Sequence, residues 1–212
     1  PTANYAVFDS LKAATAYIKT QGAPLVVKAD GLAAGKGVIV ATDIEMALSA
    51  VDEIFDGSFG DAGASVVIEE FMEGEEASLF VLVDGETVLP IGTAQDHKRV
   101  GEGDTGLNTG GMGAYSPAPI LSEEVLNKTM EGIIRPTVRE MINRGMPFTG
   151  VLYAGLMIKD SNPRLVEYNV RFGDPECQVL MMRLGGQILD ALLSTAKGEL
   201  SNVKLNWADD HA

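Results

Sequence analysis

The sequence is poor in cysteine, histidine and basic residues. Its single cysteine, Cys177, excludes an internal disulfide, and the two histidines cannot complete a zinc site with it. Only 16 lysines and arginines stand against 30 acids, which gives a formal net charge of −14. Nucleic acids and anionic membranes are bound through clustered basic side chains, so the charge argues against both partners. The scarcity of cysteine fits a reducing compartment, and we expect a cytoplasmic protein.

Long apolar runs are missing as well. No run reaches the length of about 18 residues that a transmembrane helix needs, and no basic segment precedes an apolar one as in a signal peptide. The 212 residues are 46% hydrophobic, which is enough for one substantial core or two smaller lobes. Because the chain opens at Pro1 rather than at a methionine, we expect a piece of a longer protein.

The apolar patterning predicts a mixed α+β fold with antiparallel hairpins, because the strands lie too close in sequence for parallel crossovers. The predicted helices cover residues 9–21, 42–55, 122–141, 176–184 and 186–197. The predicted strands cover residues 25–29, 38–41, 66–72, 76–83, 87–94, 151–158 and 165–172. We expect a small lobe at residues 1–71 and a larger lobe at residues 72–212.

Three local signals refine these elements. Thr42 with Glu45 three residues later predicts a capping box at the start of the second helix. Pro136 predicts a kink in the helix that Ser122 caps. Residues 56–63 are predicted to be loop, and the glycine-rich stretch 95–119 is predicted to be irregular and, because of its length, functional.

Three polar residues alternate along the strand predicted at residues 165–172. A period of two places Glu167, Asn169 and Arg171 on one face. Carboxylate and amide oxygens suit Mg²⁺, and a guanidinium holds phosphate in a bidentate fork. Such a triplet alone is more often a solvated strand face. Gly173-Asp174-Pro175-Glu176 turns the chain directly afterwards and adds two acids, so we predict a metal-nucleotide site.

A glycine-rich loop lies between the two strands of the first predicted hairpin. Lys28 lies on the first strand among apolar neighbours, and the loop contains Gly31, Gly35, Lys36 and Gly37. The glycines let backbone N–H groups approach phosphate oxygens, and the lysines add point charges. The pattern is not the phosphate loop G-x-x-x-x-G-K-S/T, since a strand rather than a helix follows. An ordinary glycine-rich hairpin is about equally compatible with it.

An acidic strand end follows between the two predicted lobes. The strand ends in the segment Glu69, Glu70, Phe71 and Met72. Backbone groups there are expected to be free to pair with the edge of an adenine. Glu76, just beyond, would then lie within reach of ribose hydroxyls. The alternative is a solvated acidic edge.

The irregular stretch holds two further clusters. Lys98 and Arg99 are candidates for binding a phosphate, whereas His97 is assigned no role in proton transfer. Around Gly110, Gly111 and Met112 the glycines would let backbone amides meet a carboxylate or an acyl phosphate. Cys177 lacks a partner base and is assigned to packing.

Several of these segments together resemble the phosphoribosylamine–glycine ligases, also called glycinamide ribonucleotide synthetases, of the ATP-grasp superfamily. The most specific are residues 171–178, Arg-Phe-Gly-Asp-Pro-Glu-Cys-Gln, and residues 108–115, Asn-Thr-Gly-Gly-Met-Gly-Ala-Tyr. The other matching segments are residues 25–40, the acidic strand end, 95–99 and 105–119.

The resemblance implies an ATP-grasp fold in which two α+β lobes with antiparallel sheets enclose ATP. Lys28 and the loop with Gly35, Lys36 and Gly37 would lie at the phosphates. Glu69 to Met72 would lie at adenine and Glu76 at ribose, while Glu167 and Asn169 would carry Mg²⁺ or Mn²⁺.

In that family the glycine carboxylate attacks the γ-phosphate of ATP and gives glycyl phosphate and ADP. Phosphoribosylamine then displaces phosphate to form glycinamide ribonucleotide, an early step of purine synthesis. The resemblance implies catalytic roles for Lys98, Arg99 and Arg171. It implies substrate binding by two short segments, which comprise Gly110, Gly111, Met112, Asp174, Pro175 and Glu176.

The resemblance also implies a truncation, because family members carry an N-terminal domain and a C-terminal segment that this chain lacks. The rest of the enzyme would then be a partner in cis. We therefore expect an ATP-dependent carbon–nitrogen ligase whose isolated fragment folds but does not turn over. Two alternatives stay open, namely a nucleotide-binding module without ligase activity and another ATP-grasp carboxylate–amine ligase with a different acceptor.

Overall fold

The computed structural model describes residues 1–31, 37–97, 99–102, 105–109 and 111–212. The chain divides into two compact units. The first unit is Ala3–Met72, and the second unit is Glu73–Ala212 together with Pro1–Thr2. In the described part of the chain, no helix combines the length and the apolar character that crossing a membrane requires.

The first unit is a four-stranded antiparallel sheet with two helices on one face. Its strands are β1 (Tyr5–Phe8), β2 (Leu25–Ala29), β3 (Val38–Ala41) and β4 (Val66–Glu70), and its helices are α1 (Leu11–Gln21) and α2 (Ile44–Glu53). The strand order is β1-β4-β2-β3. Alternate strand residues such as Val27 and Ile68 are fully buried with Ile18 and Val51 of the helices. The hairpin predicted between β2 and β3 is confirmed by their antiparallel pairing.

Two local predictions in this unit are wrong. The N-cap of α2 is Asp43 rather than Thr42, and its carboxylate accepts a hydrogen bond from the backbone N–H of Met46 at 2.8 Å. The predicted loop at residues 56–63 is largely helical instead. It contains the end of a π-helical turn at Ile54–Ser58 and a 3₁₀ turn at Gly60–Gly63. Phe59 of this segment packs against the core of the unit, so tertiary contacts accompany helical turns where the polar and glycine residues predict a loop.

The second unit is built on a five-stranded antiparallel sheet. Its strands are β5 (Glu75–Asp84), β6 (Val88–Asp96), β7 (Arg99–Gly101), β8 (Thr105–Asn108), β9 (Ala114–Tyr115), β10 (Thr149–Lys159) and β11 (Asn162–Asn169). The large sheet has the order β11-β10-β5-β6-β9, and β7 pairs with β8 separately. The stretch predicted to be irregular therefore contains three short strands. Two of them, β7 and β8, pair with each other, and the third, β9, pairs with β6.

Helices cover both faces of the large sheet. They are α3 (Glu123–Thr129), α4 (Arg135–Asn143), α5 (Glu176–Leu184) and α6 (Gln187–Lys197). Leu79 and Leu156 pack against α3 and α4 on one face, and Phe80 and Tyr153 pack against α5 and α6 on the other. The sheet is thus the middle layer of two cores, as the alternation of its side chains requires.

The predicted interruption of the helix after Ser122 is present in a specific form. Ser122 accepts a hydrogen bond from the backbone N–H of Val125, as an N-cap does. A π-helical turn at Met130–Ile134 then separates α3 from α4, directly before Pro136. Proline lacks the N–H that a continuous helix would donate, so the wider turn lies where the regular hydrogen-bond ladder fails.

The hairpin of β10 and β11 closes through a two-residue turn. Asp160 and Ser161 have φ values of 51° and 58°, as a tight hairpin of this kind requires. The prediction that the second strand continues to Phe172 is wrong, because β11 ends at Asn169. Val170 is 70% exposed, whereas Phe172 packs into the core beside α5, so the chain has left the strand.

Candidate functional site

Lys28 lies on the face of the first sheet that α1 and α2 leave uncovered. Its ammonium contacts the Glu69 carboxylate at 2.7 Å, and the two side chains are only 18% and 17% exposed. Lys28 pairs with Val38 on one side and with Val67 on the other. The pair of charges therefore lies within an apolar surface.

That apolar surface consists of valines that sequence reasoning did not single out. Val38 and Val40 are 48% and 39% exposed on β3, and Val7 is 51% exposed on β1. The signal was available, since Val38 and Val40 alternate with Ile39 and Ala41 of the core. A flat apolar surface with one cation suits a ligand that has an apolar ring and an anionic group.

The ends of the glycine-rich loop are fixed beside Lys28. The backbone N–H of Ala29 donates to the carbonyl of Gly37 at 2.8 Å. The Ser65 hydroxyl donates to the Asp30 carboxylate at 2.8 Å. A Cβ on Gly31 would lie 2.5 Å from Cα of Ala62, so only glycine fits there. Among the predicted phosphate-binding residues, Gly35 and Lys36 lie outside the described residues.

The predicted adenine-binding segment begins inside the sheet. β4 lies between β1 and β2, so the backbones of Glu69 and Glu70 are paired with both neighbouring strands. The Glu70 carboxylate also accepts hydrogen bonds from the backbone and side-chain nitrogens of Asn4. The expectation of free backbone groups at Glu69 and Glu70 is therefore wrong. Only Phe71 and Met72 follow the end of the strand, the former 38% exposed and the latter largely buried.

A small pocket opens on one face of the large sheet in the second unit. We call it the acidic pocket, and its lining comprises Glu76, Ala77, Ser78, Asp96, Tyr153, Gly155, Leu156, Val166 and Glu167. Ser78 of β5 pairs with Gly155 of β10, which pairs with Glu167 of β11. Because Gly155 has no side chain, a depression remains between Ser78 and Glu167. The fold thus brings Glu76 and Glu167, predicted separately, to one pocket.

Glu167 lines this pocket, and Asn169 lies beside it on the same strand. The Asn169 amide nitrogen donates to the Glu167 carboxylate at 3.1 Å, which fits the predicted placement on one strand face. Rotation of the amide about its last bond would present its oxygen beside the carboxylate instead. Among the described residues, no group of three or more histidine, cysteine, aspartate or glutamate side chains could hold a metal. Two oxygen donors fit Mg²⁺, which is usually held by one or two carboxylates with waters and substrate phosphates.

Arg171 does not continue this strand face. It lies beyond the end of β11, is exposed, and its guanidinium donates to the carbonyl of Phe172 at 2.9 Å. The prediction that strand alternation aligns Arg171 with Glu167 and Asn169 is wrong, since the strand ends before it. Arg171 instead begins the segment that leads into the turn at residues 173–176.

Gly111 packs tightly against this turn. A Cβ on Gly111 would lie 2.6 Å from Cδ of Pro175 and 3.2 Å from the carbonyl oxygen of Asp174, and its φ is +118°. The Asp174 carboxylate is exposed and accepts a hydrogen bond from Gln178 at 2.8 Å. The two segments predicted to bind substrate are therefore adjacent, although they are far apart in the sequence.

Glu176 differs from its neighbours in the turn because it is buried. It is 2% exposed, and its carboxylate accepts a hydrogen bond from the Tyr153 hydroxyl at 2.7 Å. A Cβ on Gly173 would lie 2.2 Å from the same carboxylate. Sequence reasoning missed Tyr153 and Ser78. The signal for Ser78 was a single hydroxyl in the apolar run that continues from Leu79 to Val83.

The remaining candidates contribute less to the described geometry. Lys98 and Gly110 lie outside the described residues, and Arg99 is described only as the first residue of β7. Met112 is 60% exposed, and its backbone N–H donates to the carbonyl of His97. Burial, with a smaller effect of the Asp174 charge, raises the pKa of the Cys177 thiol, which fits its assignment to packing.

The chain is similar to proteins of one enzyme family. Residues 1–177 match the family described as "Phosphoribosylglycinamide synthetase, ATP-grasp (A) domain". Over 212 residues the chain is 58% identical to the phosphoribosylamine–glycine ligase of Brucella melitensis. The match covers 100% of this chain and 50% of that protein. It is 61% identical over 215 residues to the chloroplastic phosphoribosylamine–glycine ligase of Arabidopsis thaliana, covering 100% of this chain and 40% of that protein.

A solved structure agrees with these sequence matches. The crystal structure of phosphoribosylamine–glycine ligase from Thermotoga maritima superposes with a TM-score of 0.86 at 34% sequence identity. The match covers 93% of this chain and 50% of that one. The chain therefore spans about half the length of the relatives that it matches.

Proposed function

The chain belongs to the family of phosphoribosylglycinamide synthetase ATP-grasp domains, and from this membership we propose that it is the ATP-binding part of a phosphoribosylamine–glycine ligase. The ATP-grasp fold expected from the sequence is the fold of this family. The observation that carries the proposal is Glu167, which lines the acidic pocket and accepts a hydrogen bond from the neighbouring Asn169 amide, so that a carboxylate and an amide lie side by side.

The reaction we propose joins glycine to phosphoribosylamine at the expense of ATP. The glycine carboxylate oxygen attacks the γ-phosphorus, and the bond between that phosphorus and the β,γ-bridging oxygen breaks, which gives glycyl phosphate and ADP. The amine of phosphoribosylamine then attacks the acyl carbon, and the bond between that carbon and the phosphate oxygen breaks. Phosphate leaves with the proton that the amine loses, so that glycinamide ribonucleotide forms. Reactions of this kind depend mainly on positioning and charge neutralisation, which agrees with a site that has no dedicated nucleophile.

Each unit contributes separate groups to this chemistry. In the first unit, the exposed valines would contact the adenine ring, and Lys28 would leave Glu69 for a phosphate oxygen. In the second unit, Glu76 would accept hydrogen bonds from ribose hydroxyls, while Glu167 and Asn169 would hold a divalent cation, Mg²⁺ or Mn²⁺. The bound cation would neutralise phosphate charge.

The turn at residues 173–176 and Gly111 would hold the other substrates. Glycine at position 111 lets its backbone come close to the backbone of Asp174 and the ring of Pro175, and the exposed Asp174 carboxylate is held by the Gln178 side chain. An exposed carboxylate suits a cationic amine, which both glycine and phosphoribosylamine carry in their protonated forms. Arg171, Lys98 and Arg99 remain proposed contacts of the acyl phosphate and of the leaving phosphate.

Product analysis tests the proposed function. The full-length protein that contains this chain is incubated with Mg-ATP, glycine and freshly generated phosphoribosylamine, and the products are measured by mass spectrometry. Glycinamide ribonucleotide should form together with ADP, and omission of glycine should abolish both products. Product formed only with another acceptor in a screen of amines would favour a different ATP-grasp ligase.

A second candidate is a nucleotide-binding module without ligase activity. The observation in its favour is Lys28 among exposed valines, since this surface suits an anionic ligand with an apolar ring and needs no second substrate. The rest of the parent protein would then be the partner in cis, with no role for nucleic acid at a net charge of −14. We propose a cytoplasmic location for the parent protein, although the Arabidopsis thaliana relative is named as chloroplastic.

A further inference from the structure

A chain of buried hydroxyls connects the acidic pocket to the turn at residues 173–176. The Ser78 hydroxyl donates to the Tyr153 hydroxyl at 2.9 Å, and Tyr153 donates to the Glu176 carboxylate at 2.7 Å. The three residues are 4%, 6% and 2% exposed. Ser78 and Tyr153 also line the acidic pocket, so one end of the chain lies at the pocket and the other end lies under the turn.

Glu176 is an unusual residue to bury, because a carboxylate loses much of its hydration when it leaves water. Two features offset that loss. The Tyr153 hydroxyl supplies a hydrogen bond, and Glu176 is the first residue of α5, where the unpaired backbone N–H groups of a helix favour negative charge. The position of the carboxylate is thereby fixed from two directions.

The buried carboxylate in turn fixes the backbone of the turn. Gly173 lies so close to it that a Cβ would be 2.2 Å from the carboxylate oxygen. The backbone N–H of Cys177 donates to the carbonyl of Gly173 at 3.0 Å, which closes the turn. A shift of Glu176 would therefore move Gly173 and the exposed Asp174 that follows it.

We propose that Tyr153 is a positioning residue, whose hydroxyl holds Glu176 so that the turn presents Asp174 and Pro175 against Gly111. The proposal rests on the proposed function in so far as this turn binds the glycine and amine substrates. This role requires no contact between Tyr153 and the glycine or amine substrate. It acts by keeping the backbone of the turn in one conformation, and substrates that bind to a fixed turn need no further ordering.

The test compares two tyrosine-to-phenylalanine variants of the full-length protein. Tyr153→Phe removes the hydroxyl and keeps the ring, which packs against Phe80 with centroids 4.5 Å apart. Tyr168→Phe is the matched control, because it removes a hydroxyl that bonds to Thr137 on the opposite face of the same sheet. Steady-state rates are measured as functions of Mg-ATP, glycine and phosphoribosylamine concentrations.

Tyr153→Phe should lower kcat/KM for glycine or for phosphoribosylamine about 10- to 100-fold, since it leaves a buried carboxylate without a charge-assisted hydrogen bond. The KM for Mg-ATP should change less than these constants, because phenylalanine keeps the ring that lines the acidic pocket and leaves Glu76 and Glu167 unaltered. Tyr168→Phe should change none of these constants by more than twofold. If Tyr153 contributed only to the stability of the fold, Tyr153→Phe would instead change the kinetic constants for all three substrates alike.

Hydrogen exchange of the Cys177 amide provides a readout that does not depend on activity. Exchange at this amide should rise at least tenfold in Tyr153→Phe and stay unchanged in Tyr168→Phe. If Tyr153→Phe does not fold, the milder Ser78→Ala variant is compared with Tyr168→Phe in the same two measurements. Equal kinetics and equal exchange in the test and control variants would overturn the proposal. If the parent protein forms no product, the proposed function fails, and amide exchange alone decides whether Tyr153 positions the turn.

Discussion

Replacement of Lys28 by methionine is the most direct test of the proposed phosphate contact. The Lys28 ammonium lies 2.7 Å from the Glu69 carboxylate in a largely apolar surface, and both side chains are less than one-fifth exposed. Phosphate would replace Glu69 as its partner. A hydrogen bond to a charged group contributes about 1.5 to 3 kcal/mol, so Lys28→Met should raise the Kd for Mg-ATP roughly 10- to 150-fold.

The assay is isothermal titration of the same variant with Mg-ATP and with adenosine. Adenosine has no phosphate, and the valine surface is unchanged in Lys28→Met, so its affinity should stay within about twofold of the parent value. Lys159→Met is the matched control. It breaks another lysine–glutamate pair, with Glu73 at 2.6 Å, but the two side chains are 57% and 70% exposed. This control should leave both affinities unchanged, as exposed pairs contribute little.

Glu69→Gln tests whether Glu69 competes with phosphate for Lys28 or helps Lys28 to bind it. If phosphate displaces Glu69 from Lys28, removal of the negative charge should tighten Mg-ATP binding. Equal losses of ATP and adenosine affinity in Lys28→Met would refute the reasoning, because they would show a damaged sheet rather than a lost phosphate contact. An ATP affinity in Lys28→Met equal to that in Lys159→Met would refute it as well.

Three further outcomes follow from the site. Glu167→Gln should weaken binding of ATP in the presence of Mg²⁺ but strengthen binding of ATP in EDTA, and titrations that show no change in magnesium dependence would contradict the metal assignment. Gly173→Ala should destabilise the protein by about 1 to 3 kcal/mol in urea unfolding, because its Cβ would overlap the buried Glu176 carboxylate. Gly186→Ala, at φ −64° with no atom within 4 Å of the new Cβ, should change stability by less than about 0.5 kcal/mol. The 212-residue chain alone should bind Mg-ATP weakly and form no glycinamide ribonucleotide, since ligation needs the acceptor amine to be placed against the acyl phosphate. Product formed by this chain at the rate of the full-length protein would contradict this expectation.

Local patterns were sufficient for the elements whose neighbours are close in sequence. The hairpin of β2 and β3 and the helix at Glu176–Leu184 are as predicted, because alternation and helical spacing agree with the burial that the fold provides. The adjacency of Glu167 and Asn169 was likewise predictable from a local pattern. It depends only on a period of two within one strand, and their side chains do lie 3.1 Å apart.

Arg171 shows where local patterns fail. The alternation of Val166, Tyr168, Val170 and Phe172 continues to the end of the predicted strand, yet the observed strand ends at Asn169. Phe172 packs against the core cluster that contains the buried residues of α5, and Val170 is left 70% exposed. Tertiary packing overrides local β propensity here, as it often does at the end of a strand.

The acidic pocket depends on contacts between distant strands, which no local pattern contains. Ser78, Gly155 and Glu167 form one row because β10 pairs with both β5 and β11 in a particular register. A shift of one residue in either pairing would turn these side chains to the opposite core. Composition gives no register, so the Ser78 hydroxyl, although it stands out in an apolar run, could not be placed beside Tyr153 and Glu167 before the strands were paired.

The charge of the pocket gives the metal assignment its physical basis. Glu76, Asp96 and Glu167 line the same small pocket in a chain with a formal charge of −14, so an uncomplexed nucleotide phosphate would be repelled there. A divalent cation shared by Glu167, Asn169 and the phosphates, as proposed, would reverse the sign of that interaction. Nucleotide and metal should therefore bind as a pair in the second unit, whereas Lys28 in the first unit can act on phosphate without a metal. This difference is the reason that Glu167→Gln should have opposite effects with and without Mg²⁺, while the effect of Lys28→Met should keep one sign in both conditions.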